Sequence, residues 1–395
     1  RKILSNKSFN RNFKNPFMTE TTTDSPIVLP VDPSIAKQYS RTKLTLGIVS
    51  SVLSFAVMLA IVVFGFSQAL QTWSVSIATN DYVAVMLFLV AVGTIESLIT
   101  FPIGFYSSYI VEHRYNLSNQ TLSRWAWERI KGLLVGAPFV LIVVLVLYYC
   151  LKTYDEWWWL PVSIVLTFVS IILARIVPTF IMPLFYKFTP VGNGSLRERI
   201  TQLCNSAGVH IEGIFSFNMS KNTKKANAGF TGIGKSKRII LGDTLMKEFS
   251  EDEIETVFAH ELGHYKHRHI IIGIIVGTLS TFIGLFIASR LYSLSLSWFG
   301  FEAITDLAAL PLLGLWLSIF GLVTSPLGNM LSRKHEREAD TYAVRTTNNK
   351  LAFVSALRKL GDTNLADREP HPLVEFLFYS HPSIARRIAS VEDLE

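Results

Sequence analysis

The run His260-Glu261-Leu262-Gly263-His264 places two imidazoles four residues apart. On an α-helix those positions share one face, so both rings can reach a single metal ion. The spacing is that of a zinc site, with Glu261 beside the first histidine as a general base. Zinc acidifies water and polarises a carbonyl, so the chemistry implied is hydrolysis of a peptide bond. The motif has to be helical to work. Ser250-Glu251-Asp252-Glu253, just before it, reads as a capping box that opens such a helix. The helix is expected to run unbroken through His264 into the apolar stretch that follows.

A catalytic zinc takes a third protein ligand and keeps one position open. The polar cluster at 332–340 offers Glu336 and Asp340, again four residues apart. Glu336 is the candidate third ligand. Asp340, one turn further, could accept a ring N–H from a ligand histidine. An exposed charged helix face would show the same spacing, so on spacing alone both readings stand. His267 falls near the face of His260 and is a conceivable further ligand. The simpler reading makes His267 and His269 interfacial residues.

The elements that must position these groups are membrane helices. Half of the 395 residues are apolar and 17% are charged, which excludes an ordinary soluble domain. Six apolar blocks reach spanning length: 44–70, 82–111, 132–151, 160–185, 270–289 and 307–331. Only Glu96 and Arg175 are charged within them. Such residues normally face a bundle interior or water, and a buried pair is an equal reading. Of 37 Lys and Arg, 34 lie in alternate connections, which is the positive-inside pattern. It puts both termini and the segment 186–269 on the cytoplasmic side. The net charge of +7 is therefore a topology signal, and no nucleic-acid partner is expected. Trp157, Trp158 and Trp159 suit an interfacial belt. The two cysteines, Cys150 and Cys204, fall in different environments, so no disulfide is expected. Residues 1–16 lack the apolar core of a secretory signal.

The organisation expected is a basic, flexible arm over 1–43 and four spans over 44–185. A cytoplasmic α+β insert over 186–269 ends in the metal-motif helix. Two further spans over 270–331 and a cytoplasmic helical tail over 332–395 complete the chain. In the insert, 195–207 has helical apolar spacing, and 213–219, 227–232 and 238–242 read as strands. The fold class is thus mainly α, a multi-span helical membrane protein with a small α+β zinc-peptidase insert.

These residues carry a resemblance. His260 to His264, with Glu336-Arg337-Glu338-Ala339-Asp340, resemble the type I CaaX prenyl proteases, integral-membrane zinc endopeptidases. The run Glu112-His113-Arg114-Tyr115-Asn116-Leu117-Ser118-Asn119-Gln120-Thr121 is similar to a loop motif of that family. So are 185–190, Asn227-Ala228, 237–245 and Tyr379-Ser380-His381-Pro382. The likeness runs from about 32 to 388. It implies one Zn²⁺ per chain, held by His260, His264 and Glu336, with Asp340 orienting a ligand histidine. It implies that His381 contacts the substrate carbonyl and that Arg387 and Asn227 bind substrate, Asn227 from an edge strand. It also implies an interior chamber and a peptide or protein substrate, possibly prenylated, reached at the lipid bilayer. The sequence departs in having six spans rather than seven, and Lys225 where the family has a histidine. HtpX-type membrane proteases share the zinc motifs, so quality control of misfolded membrane proteins is the alternative. A non-catalytic transporter or scaffold is a remote third reading, opposed by the intact Glu261.

Overall fold

The computed structural model describes residues 32–231 and 238–394. Helix α1 covers Pro33–Val63, α2 Phe66–Ile77 and α3 Asp81–Phe105, which continues through a π turn into α4, Val111–Arg114. Then come α5, Leu122–Tyr154, α6, Trp159–Ile176, and α7, Met182–Phe185. The insert holds β1 Phe188–Pro190, α8 Ser195–Ser206, β2 Gly213–Phe217, β3 Ala228–Thr231, β4 Arg238–Gly242 and α9 Asp243–Glu248. Helix α10, Glu251–Lys266, leads to α11, His269–Ser295, and α12, Leu310–Thr347. The tail forms α13 Lys350–Thr363, α14 Pro372–Phe378 and α15 Ile384–Glu392.

Among the described residues, six helical segments are long and apolar enough to cross a bilayer, as the six blocks predict. This is an integral, multi-pass membrane protein with a small sheet. Several boundaries differ from expectation. The first span starts at Pro33, where Asp32 accepts from the Ser34 N–H and Pro33 takes the first helical position. Residues 33–43 are therefore helical rather than part of an arm, and residues 1–31 lie outside the described chain. Block 44–70 is not one helix. It breaks at Gly65, whose left-handed φ of 74° favours glycine, and α2 follows as a separate short helix. The three tryptophans do not form a belt together: Trp158 is fully buried in the core with Phe88, Leu151 and Tyr292. Trp157 remains exposed. Glu96 accepts from Ser54 Oγ at 2.7 Å, and no ion pair joins it to Arg175 among the described residues. Both cysteines are free.

The insert carries one strand more than the sequence signalled. The sheet order is β1-β2-β4-β3, with β2 and β4 parallel and both outer pairs antiparallel. Strand β3 is thus an edge, while residues 232–237, which hold the last residue of the expected strand 227–232, lie outside the described residues. Ile214, Ile239 and Leu241 from the sheet pack with Ile200 of α8, Phe258 and Leu262 of α10, and Phe353 and Leu357 of α13. The metal-motif helix is therefore the central member of the soluble core. The family-like run at 112–121 joins this core to the membrane helices. Leu117 O accepts from the Lys224 N–H at 2.9 Å, and Asn119 donates to Ser220 O at 2.8 Å. Lys225 Nζ meets Tyr39 OH at 2.8 Å and Glu112 at 3.1 Å, so it ties the insert to α1 and α4.

The capping box at Ser250 and Glu253 is present as read. Glu253 does more than cap. It is buried, and it also accepts from Ser355 Oγ at 2.6 Å and Lys359 Nζ at 2.7 Å. Burial pushes its carboxyl up, but Lys359, Ser355 and the Ser250 N–H outweigh that and hold it below the ordinary 4.5. A carboxyl lowered on folding stabilises above its unfolded pKa and loses that effect as pH falls through the folded value. Glu253→Ala should cost about 1–3 kcal/mol, by loss of a cap and of a buried charged partner. The check is the thermal unfolding midpoint in detergent: a clear drop near neutral pH, narrowing below about pH 4.5.

Candidate active site

His260 and His264 project from one face of α10, with their Nε2 atoms 3.1 Å apart. Glu336 reaches them from α12, a single helix that carries the last span and continues past it. Its Oε1 lies 3.2 Å from His264 Nε2, and its Oε2 lies 3.4 Å from His260 Nε2. Glu336 is buried, so the reading of an exposed charged face is excluded. Its Oε2 has no hydrogen-bond partner despite burial. A buried carboxylate oxygen with ion-pair neighbours but no hydrogen bond is incompletely satisfied, and a cation among these three side chains would satisfy it. Ligand atoms around a tetrahedral zinc sit roughly 3.3 Å apart, which these separations match. The group fits zinc.

The approach of the two helices depends on Gly263, between the histidines. A Cβ there would lie 3.0 Å from Ala339 Cα and 3.2 Å from Ala339 O. Those are backbone atoms and cannot swing aside. The glycine of the motif and the alanine of the second cluster thus form the crossing point, one turn from Glu336.

Asp340 lies one turn beyond Glu336, 2.8 Å from His260 Nδ1. Burial opposes a charged His260, but Asp340 and Glu336 prevail and hold its imidazole up at about 9. A surrounding that favours a proton on this ring also favours a metal cation at it. Arg387, from α15, donates to Asp340 with Nε at 2.9 Å and Nη2 at 2.6 Å. Its Nη1 is 3.6 Å from Glu336 Oε2. Arg387, expected to bind substrate, makes a fork-to-fork pair with Asp340 and also borders the cavity.

That cavity, of about 570 Å³, is lined by His260, Glu261, Glu336 and His381, with Asn227 along one side. Phe353, Leu357, Leu360 and Ile384 supply an apolar wall. His381 is exposed, with Nε2 3.4 Å from Glu336 Oε1 and Nδ1 2.9 Å from Ser380 Oγ. Asn227 is exposed and immediately precedes edge strand β3. Every predicted site residue therefore lies at or beside this one cavity.

One expectation about the stretch after these histidines fails. The motif helix does not run on into the membrane: it ends at Lys266, and Arg268 takes a left-handed φ of 58° before α11 starts. His267 is turned away from the three-residue group and meets Tyr342 instead.

Other residues of the site were not signalled by the sequence. Arg333 is buried and donates to Glu375 O at 2.9 Å and Tyr379 O at 2.6 Å. Asn329 donates to Leu377 O at 2.8 Å. Together they fasten the end of α14, and with it the loop bearing His381, to α12. Asn364 exchanges hydrogen bonds with the Ala226 N–H and carbonyl at 3.0 and 3.3 Å, which fixes the backbone just before Asn227. Nothing in a linear sequence marks these side chains, because their partners are backbone groups far along the chain.

Residues 190–395 match the model of peptidase family M48. The chain belongs to that family. Residues 32–187 match the model described as the CAAX prenyl protease N-terminal region with five membrane helices, within which this chain has four candidate spans and the short α2. The chain is 32% identical to YhfN, an uncharacterized metalloprotease of Bacillus subtilis, over 93% of this chain and 87% of that protein. It is 29% identical to CAAX prenyl protease 1 of Saccharomyces cerevisiae, over 90% and 85%. The crystal structure of S. mikatae Ste24p superposes with a TM-score of 0.80 at 27% identity, covering 91% of this chain and 89% of that one. The chain is a membrane zinc metallopeptidase that resembles the CaaX proteases.

Gly263→Ala should separate α10 from α12 at the crossing and pull Glu336 from the histidines. The contacts require the facing backbone to give by a few tenths of an ångström, short of the roughly 1 Å misplacement that costs about 100-fold. The expected outcome is a loss of up to about 10-fold in peptide cleavage with a weakened hold on zinc, read by metal content after dialysis against a chelator.

Proposed function

We propose that this chain cleaves a peptide bond of a membrane-associated, prenylated C-terminal substrate, with His260, His264 and Glu336 holding one zinc ion. The observation that carries the reading is the meeting of Glu336 with the two histidines beside an edge strand, in one cavity. When bound, the zinc would acidify the attacking water and polarise the scissile carbonyl. Glu261 takes the proton from that water and delivers it to the departing amide nitrogen. Asp340, itself held by Arg387, fixes the His260 ring through Nδ1. His381, anchored by the loop that Arg333 clamps, donates from Nε2 to the oxygen on which negative charge develops. The substrate backbone pairs with β3 as an added strand, and Asn227 receives its end.

The lipid preference rests on the yeast relative, named CAAX prenyl protease 1, and on the apolar wall of Phe353, Leu357, Leu360 and Ile384. An interior chamber among the spans would house the lipid. The division of Lys and Arg puts the site and both termini on the cytoplasmic side, with the insert at 186–269 and the tail at 332–395 completing the catalytic unit.

Two measurements test the proposal. Glu261→Gln should retain stoichiometric zinc while cleavage falls by at least about 100-fold. Full activity in that variant, or wild-type protein purified without zinc, would overturn it. A farnesylated peptide ending in a CaaX sequence should be cut well ahead of its unlipidated twin. Equal cleavage of both would favour the reading as a quality-control protease.

A further inference from the structure

Each histidine of the metal motif has an outer ring nitrogen that needs a partner. His260 Nδ1 has Asp340. His264 Nδ1 lies 3.0 Å from His269 Nδ1, and His269 Nε2 lies 2.9 Å from Glu338 Oε2. We propose that His269 and Glu338 are positioning residues that hold His264 in its metal-binding tautomer, as Asp340 does for His260. The proposal rests on His264 being a zinc ligand.

The proton assignment follows from chemistry. A carboxylate only accepts, so Glu338 requires the hydrogen on His269 Nε2. Neutral His269 then has a bare Nδ1 that can only accept. His264 must therefore donate from Nδ1, which leaves its Nε2 lone pair free toward Glu336 and His260. The chain from Glu338 through His269 to His264 thus selects one tautomer, and the ligand nitrogen faces the site.

The backbone explains why His269 can do this. In an unbroken helix a residue five positions on is turned by roughly 140°, away from His264. The left-handed Arg268 breaks the helix and returns the His269 ring beneath His264. The ring is buried and held between two others. His335 stacks on it at 3.9 Å with planes 10° apart, and His267 lies on it at 5.6 Å with planes 15° apart. His269, His335 and Glu338 could also be read as a second metal group. Parallel stacked rings direct their in-plane lone pairs side by side rather than toward one point. Both nitrogens of His269 are also already engaged. The geometry favours a hydrogen-bonded chain.

The test measures zinc affinity of the purified full chain in detergent, by competition with a chelator of known affinity. His269→Phe keeps the ring volume and the stacking but removes the acceptor, and should weaken zinc by about 10- to 100-fold. His269→Asn puts an amide oxygen where Nδ1 stood and should recover most of that loss. Glu338→Gln, at a half-exposed position that threatens the fold least, should lose several-fold. His335→Phe, which stacks but is not in the chain, should bind as wild type. Wild-type affinity in folded His269→Phe overturns the proposal. So does weaker binding by His269→Asn than by His269→Phe, or an equal loss in His335→Phe, since either would mean packing alone. If instead wild type binds zinc and His264→Ala binds it equally well, the ligand assignment itself has failed.

Discussion

The close crossing of α10 and α12 is the constraint on which the rest depends. Gly263 lies against the backbone of Ala339 so closely that a methyl group would fit only if that backbone gave by a few tenths of an ångström. That contact fixes which turn of α12 faces the histidines, and so brings Glu336 and Asp340 to the two rings at once. It also explains why His260, Glu336 and Asp340 are buried although they stand where a span ends. Two helices this close exclude water from the groups between them. Charged groups there are stable only because each has a counterpart.

Around the crossing, the molecule is fastened by side chains that grip backbone. Arg333 and Asn329 hold the carbonyls at the end of α14. Asn364 grips both sides of the Ala226 peptide. The loop at 112–121 grips 220–224. The first two clamps hold the segments that bear His381 and Asn227, and the third ties the insert to the membrane helices. Loops carry His381 and Asn227, but rigid elements decide where they stand. The ion pair of Arg387 with Asp340 belongs to the same scheme: a tail helix is closed onto the site through the carboxylate that steadies His260.

Much of this was legible in the residues. Long apolar blocks have no solvent-stable alternative to membrane helices, and six were found where six were read. The capping box needs only local geometry, and it formed. The features that went unread are set by contacts rather than by composition. Strand β1 spans only Phe188–Pro190, and it exists through pairing with β2. Trp158 is core because Phe88, Leu151 and Tyr292 surround it, which an interfacial composition argument cannot know. The break at Arg268 follows neither proline nor glycine, so the apolar periodicity gave no warning of it. That break in turn decides what His269 touches.

The sequence by itself determined the chemistry and the medium. Two histidines four apart with a glutamate between them, and apolar runs of spanning length, follow from helix periodicity and from the solvation of side chains. Both are local properties. Only the tertiary structure decided which carboxylate meets the two histidines, since spacing allowed Glu336 and Asp340 to be a solvated face. It also decided that Arg387 serves Asp340, and that His269 stands beneath His264. The physical reason is the same in each case. These roles depend on burial and on distances across helices far apart in the chain, and a linear pattern encodes neither.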